Sequence, residues 1–172
     1  MERIAAFEKV SFGQFCKDWQ KNMGGSETDI RSIYDAIVLP QRATAGSAGY
    51  DFHAPCDISL APGASLLIPT GIRAKIVSGY LLMLFPRSSL GFRYRMQLNT
   101  TVGIIDADYY GAENEGHIMC KITNDTNENK TLTIQAGQGM VQGIFVPFGI
   151  TFDDEAEGKR TGGFGSTTEK RQ

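Results

Sequence analysis

Ser65-Leu66-Leu67-Ile68-Pro69-Thr70-Gly71-Ile72-Arg73-Ala74-Lys75-Ile76-Val77-Ser78-Gly79-Tyr80-Leu81-Leu82-Met83-Leu84-Phe85 sets the architecture of this chain. It reads as three short strands, 65–68, 70–77 and 81–85, rich in aliphatic and β-branched residues and punctuated by Pro and Gly. Segments 117–124, 131–134 and 140–146 continue the rhythm, with Pro62-Gly63 and the polar run 124–130 as turns. Short strands at such spacing predict an all-β sandwich or barrel. The head of the chain departs from it. Residues 4–10 can form a strand, but Phe12, Phe15, Trp19 and Met23 share one helical face before Gly24-Gly25, and Ile30, Ile33, Tyr34 and Ile37 share another. Two short helices, or one broken at the glycines, are expected over 12–37.

The 172 residues suit one domain spanning 1–172 with a core of its own. Seventeen Lys and Arg against 19 Asp and Glu give a formal net charge of −2, which argues against general nucleic-acid binding, since that needs a basic footprint. Cys16, Cys56 and Cys120 are odd in number and lack metal-ligand spacing, so reduced thiols in a cytoplasmic protein are expected, and the sequons at Asn99 and Asn124 are chance matches. No apolar run reaches membrane length and the N-terminus lacks a signal peptide's apolar centre, so no membrane association is expected.

Near the C-terminus the chain reads Arg160-Thr161-Gly162-Gly163-Phe164-Gly165-Ser166-Thr167-Thr168. Glycines let backbone N–H groups close on phosphate oxygens, Arg offers a planar fork of donors, and the hydroxyls complete the shell. Phe164 can lie flat on a base. The competing reading is a flexible Gly/Ser/Thr tail.

Four more segments precede this tail: Ala48-Gly49-Tyr50-Asp51, Pro86-Arg87-Ser88-Ser89-Leu90, Gly103-Ile104-Ile105-Asp106-Ala107-Asp108-Tyr109-Tyr110-Gly111 and Gly137-Gln138-Gly139-Met140-Val141-Gln142. In this order, from about Leu39 to Thr168, the five resemble the motifs of the trimeric deoxyuridine triphosphatases (dUTPases). The resemblance implies an all-β, jelly-roll-like barrel or sandwich and a hydrolase that cuts dUTP to dUMP and pyrophosphate by Mg²⁺-assisted attack of water on the α-phosphate. It also implies a homotrimer with shared active sites and a C-terminal glycine-rich arm, 158–172, over each site. Compact relatives run directly from a first strand to the Leu-Pro before the first motif, here Leu39-Pro40. Residues 12–37 therefore look like a helical insert, either a candidate surface for a protein partner or a cover for the trimer's own surface.

The resemblance also distributes roles. Asp106, with Gly103 and Ile105 completing its motif, becomes the base that orients the attacking water; the bland alternative is a turn cap, which Asp108 suits as well. Tyr109 would pack on the deoxyribose and exclude a 2′-hydroxyl by shape, with Tyr110 facing elsewhere. The backbone of the hairpin expected at this third motif would read the base. Asp51 suits magnesium through a water, because Mg²⁺ keeps several waters and takes its direct oxygens from phosphates. His53 and His117 are read as surface or strand residues rather than ligands. Ser88, with Ser89 and Gln142, would bind the phosphate region, and Arg87 would organise it. Arg160, Phe164, Gly165, Ser166 and Thr167 would close over the nucleotide, with Lys159 as a reserve cation. Gln138 stands where many relatives carry an acid.

A dCTP deaminase shares the Arg-Ser-Ser-Leu pattern of residues 87–90, but that chemistry needs a Glu where the alignment places Lys121. The hydrolase reading is the stronger.

Overall fold

Twelve short strands and three helices, counted among the described residues, carry most of 2–158, which with Gly162 are what the computed structural model describes. In chain order they are β1 (Ala5–Lys9), α1 (Phe12–Asn22), α2 (Glu27–Ala36), β2 (Gln41–Arg42), β3 (Tyr50–His53), β4 (Ile58–Leu60), β5 (Ser65–Pro69), β6 (Ile72–Ile76) and β7 (Tyr80–Pro86). They continue with α3 (Ser88–Tyr94), β8 (Met96–Leu98), β9 (Gly103–Ile105), a 3-10 turn (Ala107–Gly111), β10 (Met119–Asn124), β11 (Leu132–Ile134) and β12 (Gly139–Pro147).

All strand pairings are antiparallel. The largest sheet runs β2-β3-β12-β7-β9, a second runs β5-β10-β8, and β1-β6 and β4-β11 form pairs. The last strand thus lies between two early ones, and the arrangement is jelly-roll-like. Alternating burial along β6, β10 and β11 sends Ile72, Ala74, Cys120, Ile122, Leu132 and Ile134 into one core, joined by Phe52, Leu82, Leu84 and Met140. Burial of the Cys120 thiol pushes its pKa up to about 12, so it is inert packing.

The strands expected at 65–68, 81–85, 131–134 and 140–146 form within a residue or so of those bounds. The one expected over 70–77 begins only at Ile72, because Gly71 turns the chain at φ 73°. A side chain at 71 would strike Ile37 and approach Phe15 Cδ2 to 3.2 Å, so this turn must be bare where the helices press on the barrel. The third motif is not a hairpin: β9 pairs with β7, the chain enters the 3-10 turn, and β10 pairs elsewhere. The segment after Pro86 folds into α3 and ends at Arg95 in the left-handed conformation (φ 52°).

Both expected helices form. Ser11 and Ser26 cap them, each side chain accepting a backbone N–H from three residues on at 3.2 Å. Their inner faces bury Phe15, Trp19 and Ile30 with Val10 in a second cluster that Ile37 and Cys56 join to the main core. Arg31 stacks 3.3 Å from the Phe12 ring centroid. Polar ties complete the attachment: Lys9 Nζ donates to Tyr34 O (2.8 Å) and Tyr34 Oη to Val10 O (2.7 Å). Ser11 donates its N–H and hydroxyl to Glu115 at 2.7 and 2.6 Å.

Of the apolar positions that marked 12–37 as a candidate partner surface, Phe15, Trp19 and Ile30 are buried within the same chain, and Phe12, Met23, Ile33, Tyr34 and Ile37 are half-buried. Truncating the fully buried Phe15 to Ala should lower unfolding stability by about 3–5 kcal/mol, a large share of a typical domain's total. Denaturant unfolding measures it, and a loss below about 1 kcal/mol would show the helices are only loosely docked.

Candidate active site

Four of the motifs lie on described residues, and three of these converge. Asp51 on β3 stands opposite Gln142 on β12, which is in turn paired with Phe85 on β7. Arg87 follows directly and points its Nε at Asp51 Oδ1, 3.3 Å away. Gln142 Nε2 reaches the Pro86 carbonyl at 3.4 Å. Two motif glycines make room for this group. A Cβ at Gly49 would sit 2.6 Å from Gln142 Oε1, and one at Gly139 would collide with the Arg87 guanidinium. Ser88 and Ser89 are exposed beside it at the start of α3. Gln138 Oε1 accepts from the Gln135 N–H (3.1 Å), a turn-closing contact that an acid would make as well.

The third motif lies at the other end of the same strands. β9 pairs with β7 through Leu82–Ile105 and Leu84–Gly103, so Asp106 emerges one residue past Ile105, level with the beginning of β7. Half-buried Asp106 and exposed Asp108 border an open cleft of ≈ 500 Å³ with Ile76, Ser78, Gly79, Ala107 and Phe148. From that level to Arg87, β7 rises about 3.3 Å per residue, or roughly 20 Å, more than an Asp and an Arg side chain can jointly span. Ile105 is 2% exposed, so only its backbone can meet a ligand.

Tyr109 is not held on a hairpin surface: it is 2% exposed within the 3-10 turn, its hydroxyl donating to the His117 carbonyl at 2.9 Å. Tyr110 faces β1 and β6, donating to Glu8 Oε2 (2.9 Å) with the Arg73 guanidinium 4.4 Å from its ring centroid. Its hydroxyl is the main influence holding the Glu8 carboxyl below its ordinary pKa; burial opposes it and the ion pair with Arg73 adds to it. His117, expected at the surface or in a strand, is instead fully buried just before β10 and bonded to Asp18. His53, on β3, keeps a buried Nδ1 without a hydrogen bond among the described residues.

Arg160, Phe164, Gly165, Ser166, Thr167 and Lys159 lie outside the described residues. Sequence reading missed Phe148 in the Asp106 cleft and the Asp18–His117 pair. Phe148 carries no motif, and Asp18 and His117 are far apart in the chain.

The dUTPase family model matches residues 35–168, and the chain belongs to the dUTPase family. It is 44% identical over 134 residues to a deoxyuridine 5'-triphosphate nucleotidohydrolase of Lactococcus lactis subsp. lactis, covering 76% of this chain and 88% of that protein. The crystal structure of dUTPase from Streptococcus mutans aligns with TM-score 0.63 at 35% identity, over 85% of this chain and 98% of that one. A dUTPase from phage phi11 of S. aureus, described with a structural Mg(II) ion, shares the fold at TM-score 0.61 and 17% identity, over 91% of this chain and 98% of that one. No helix among the described residues is long and apolar enough to cross a membrane.

Proposed function

We propose that this chain hydrolyses dUTP to dUMP and pyrophosphate as a homotrimer whose active sites each draw on more than one subunit. The observation that carries the assembly is the separation, along β7, of Asp106 at one end from Arg87, Asp51 and Gln142 at the other. A base must come within about 3 Å of the water it deprotonates, and that water must reach the phosphorus the second cluster holds. Only a neighbouring copy brings the two clusters together. An apolar groove lined by Leu67, Leu98, Val102, Ile104 and Met119 offers a surface for such packing.

In the assembled site Ser88, Ser89 and Gln142 hold the phosphate chain, and Arg87 keeps Asp51 oriented. Asp106 takes a proton as the water oxygen bonds to the α-phosphorus, and the bond to the bridging oxygen breaks to release pyrophosphate. The backbone at Gly103 and Ile105 forms the nucleoside side, and Tyr109, 2% exposed behind it, is the wall that leaves no room for a 2′-hydroxyl. Arg160, Phe164, Gly165, Ser166 and Thr167 of the 158–172 arm cover the nucleotide.

The donor set around Asp51 suits magnesium: one carboxylate beside the phosphate cluster, and no grouping of three or more His, Cys, Asp or Glu among the described residues. Asp51 would hold the ion through a water, and the ion would neutralise phosphate charge. The family match begins at residue 35, just past most of the helical segment, which supports 12–37 as an addition to a single 1–172 domain. A protein partner there would meet its outer polar face and the half-buried Phe12, Met23 and Ile33. The free thiols Cys16, Cys56 and Cys120 suit the cytoplasm.

Complementation tests the assembly. Asp106→Asn and Arg87→Ala proteins, each nearly inactive, should regain turnover when unfolded together and refolded, because about one site in four then draws both intact residues from different subunits. A mixture no more active than its parents would mean that each chain carries its own complete site.

A further inference from the structure

We propose that Asp18, on helix α1 of the added segment, is a positioning residue for Tyr109, acting through His117; the inference rests on the reading of Tyr109 as the sugar filter. Four hydrogen bonds make the connection. His117 Nδ1 lies 2.6 Å from Asp18 Oδ2. Nε2 of the same ring accepts the Gly71 N–H at 2.8 Å, so it carries the lone pair, and the ring proton sits on Nδ1 and is donated to Asp18. The His117 carbonyl accepts the Tyr109 hydroxyl at 2.9 Å, while Asn114 Nδ2 donates to that hydroxyl at 2.7 Å.

The linking turn has little freedom to absorb a displacement. Glu115 and Gly116 take the left-handed conformation at φ 58° and 69°, and a Cβ at 116 would lie 2.7 Å from the Tyr109 carbonyl oxygen. Gly116 N–H donates to Asn114 Oδ1 (3.2 Å), and Glu115 is tied to Ser11 at the head of α1. Helix α1 therefore grips the turn at two points, Ser11 and Asp18, and the turn grips Tyr109, three residues from Asp106. Burial would raise the pKa of Asp18, but hydrogen bonds from His117 and Gln14, with the charge of Lys17 adding to them, hold it below its ordinary 3.8. The acceptor facing His117 at neutral pH is thus a carboxylate. With the fully buried His117 ring fixed at both nitrogens, its own carbonyl has one place to be, and so has the hydroxyl it receives.

The test compares kcat/KM for dUTP and UTP, with thermal melting of each variant. Asp18→Ala should narrow the preference for dUTP by about tenfold, and Asp18→Asn, whose amide oxygen still accepts the Nδ1 proton, should restore most of it. Tyr109→Phe removes the hydroxyl but keeps the ring, and should narrow the preference as Asp18→Ala does; it carries the test if Asp18→Ala does not fold. A wild-type preference in Tyr109→Phe, or an equal fall for both substrates in Asp18→Ala, would overturn the positioning role. Tyr109→Ala separates the two readings. An unchanged preference there would remove Tyr109 as the filter, whereas a narrowed one beside an unaltered Asp18→Ala would remove only the link to α1.

Discussion

Asp106→Asn is expected to lower kcat for dUTP by about 10²–10⁴ while leaving KM and melting temperature close to wild type. The substitution keeps the shape of the side chain and its place at the head of the 3-10 turn, half-buried on the rim of the cleft with Phe148. What it removes is the ability to take the water's proton as the bond to phosphorus forms. Both the turn and Ile105, buried just before it, are held by backbone and core contacts that the change does not touch. Steady-state pyrophosphate release measures the effect. Turnover near the wild-type value would take Asp106 out of the mechanism and leave it the turn residue that the blander reading allows.

Ending the chain after Glu157 should give a folded protein with almost no dUTP hydrolysis. Among the described residues the buried apolar ones run from Val10 to Val141, so the cut leaves every one of them in place. It does remove Arg160, the hydroxyls of Ser166 and Thr167, and Phe164. A charge-assisted pair to phosphate and a ring stacked on a base are each worth about 1–3 kcal/mol, and their joint loss compounds to several orders of magnitude in kcat/KM. An unchanged denaturation curve beside lost activity is the expected pair of results. Retained kcat/KM would reassign 158–172 to the plain flexible tail.

The candidate site was legible where its chemistry sits in consecutive residues. Arg87-Ser88-Ser89 and Gly103 to Asp106 announce candidate donors and a candidate base within a few positions, while the Arg160 to Thr168 stretch lies outside the described residues. The glycines of motifs one and four were legible only as letters. Their reasons, Gly49 beneath Gln142 and Gly139 beneath Arg87, appear once β3, β12 and β7 lie side by side. Strands such as Gln41–Arg42 and Met96–Leu98 escaped because two or three residues carry no periodicity.

By itself the sequence determined the strand rhythm from 65 to 146, the amphipathic helical character of 12–37 and the family, because hydrophobic period and local motifs are properties of neighbouring residues. Only the tertiary structure decided what those helices face and where the two halves of the site stand. Asp18 and His117 are 99 positions apart, and their pairing depends on α1 packing over Gly71. Asp106 and Arg87 are close in sequence yet lie at opposite ends of one strand, because the antiparallel register of β7 and β9 carries the chain back along its own length. Register is set by which faces can be buried together, and that is a property of the whole barrel.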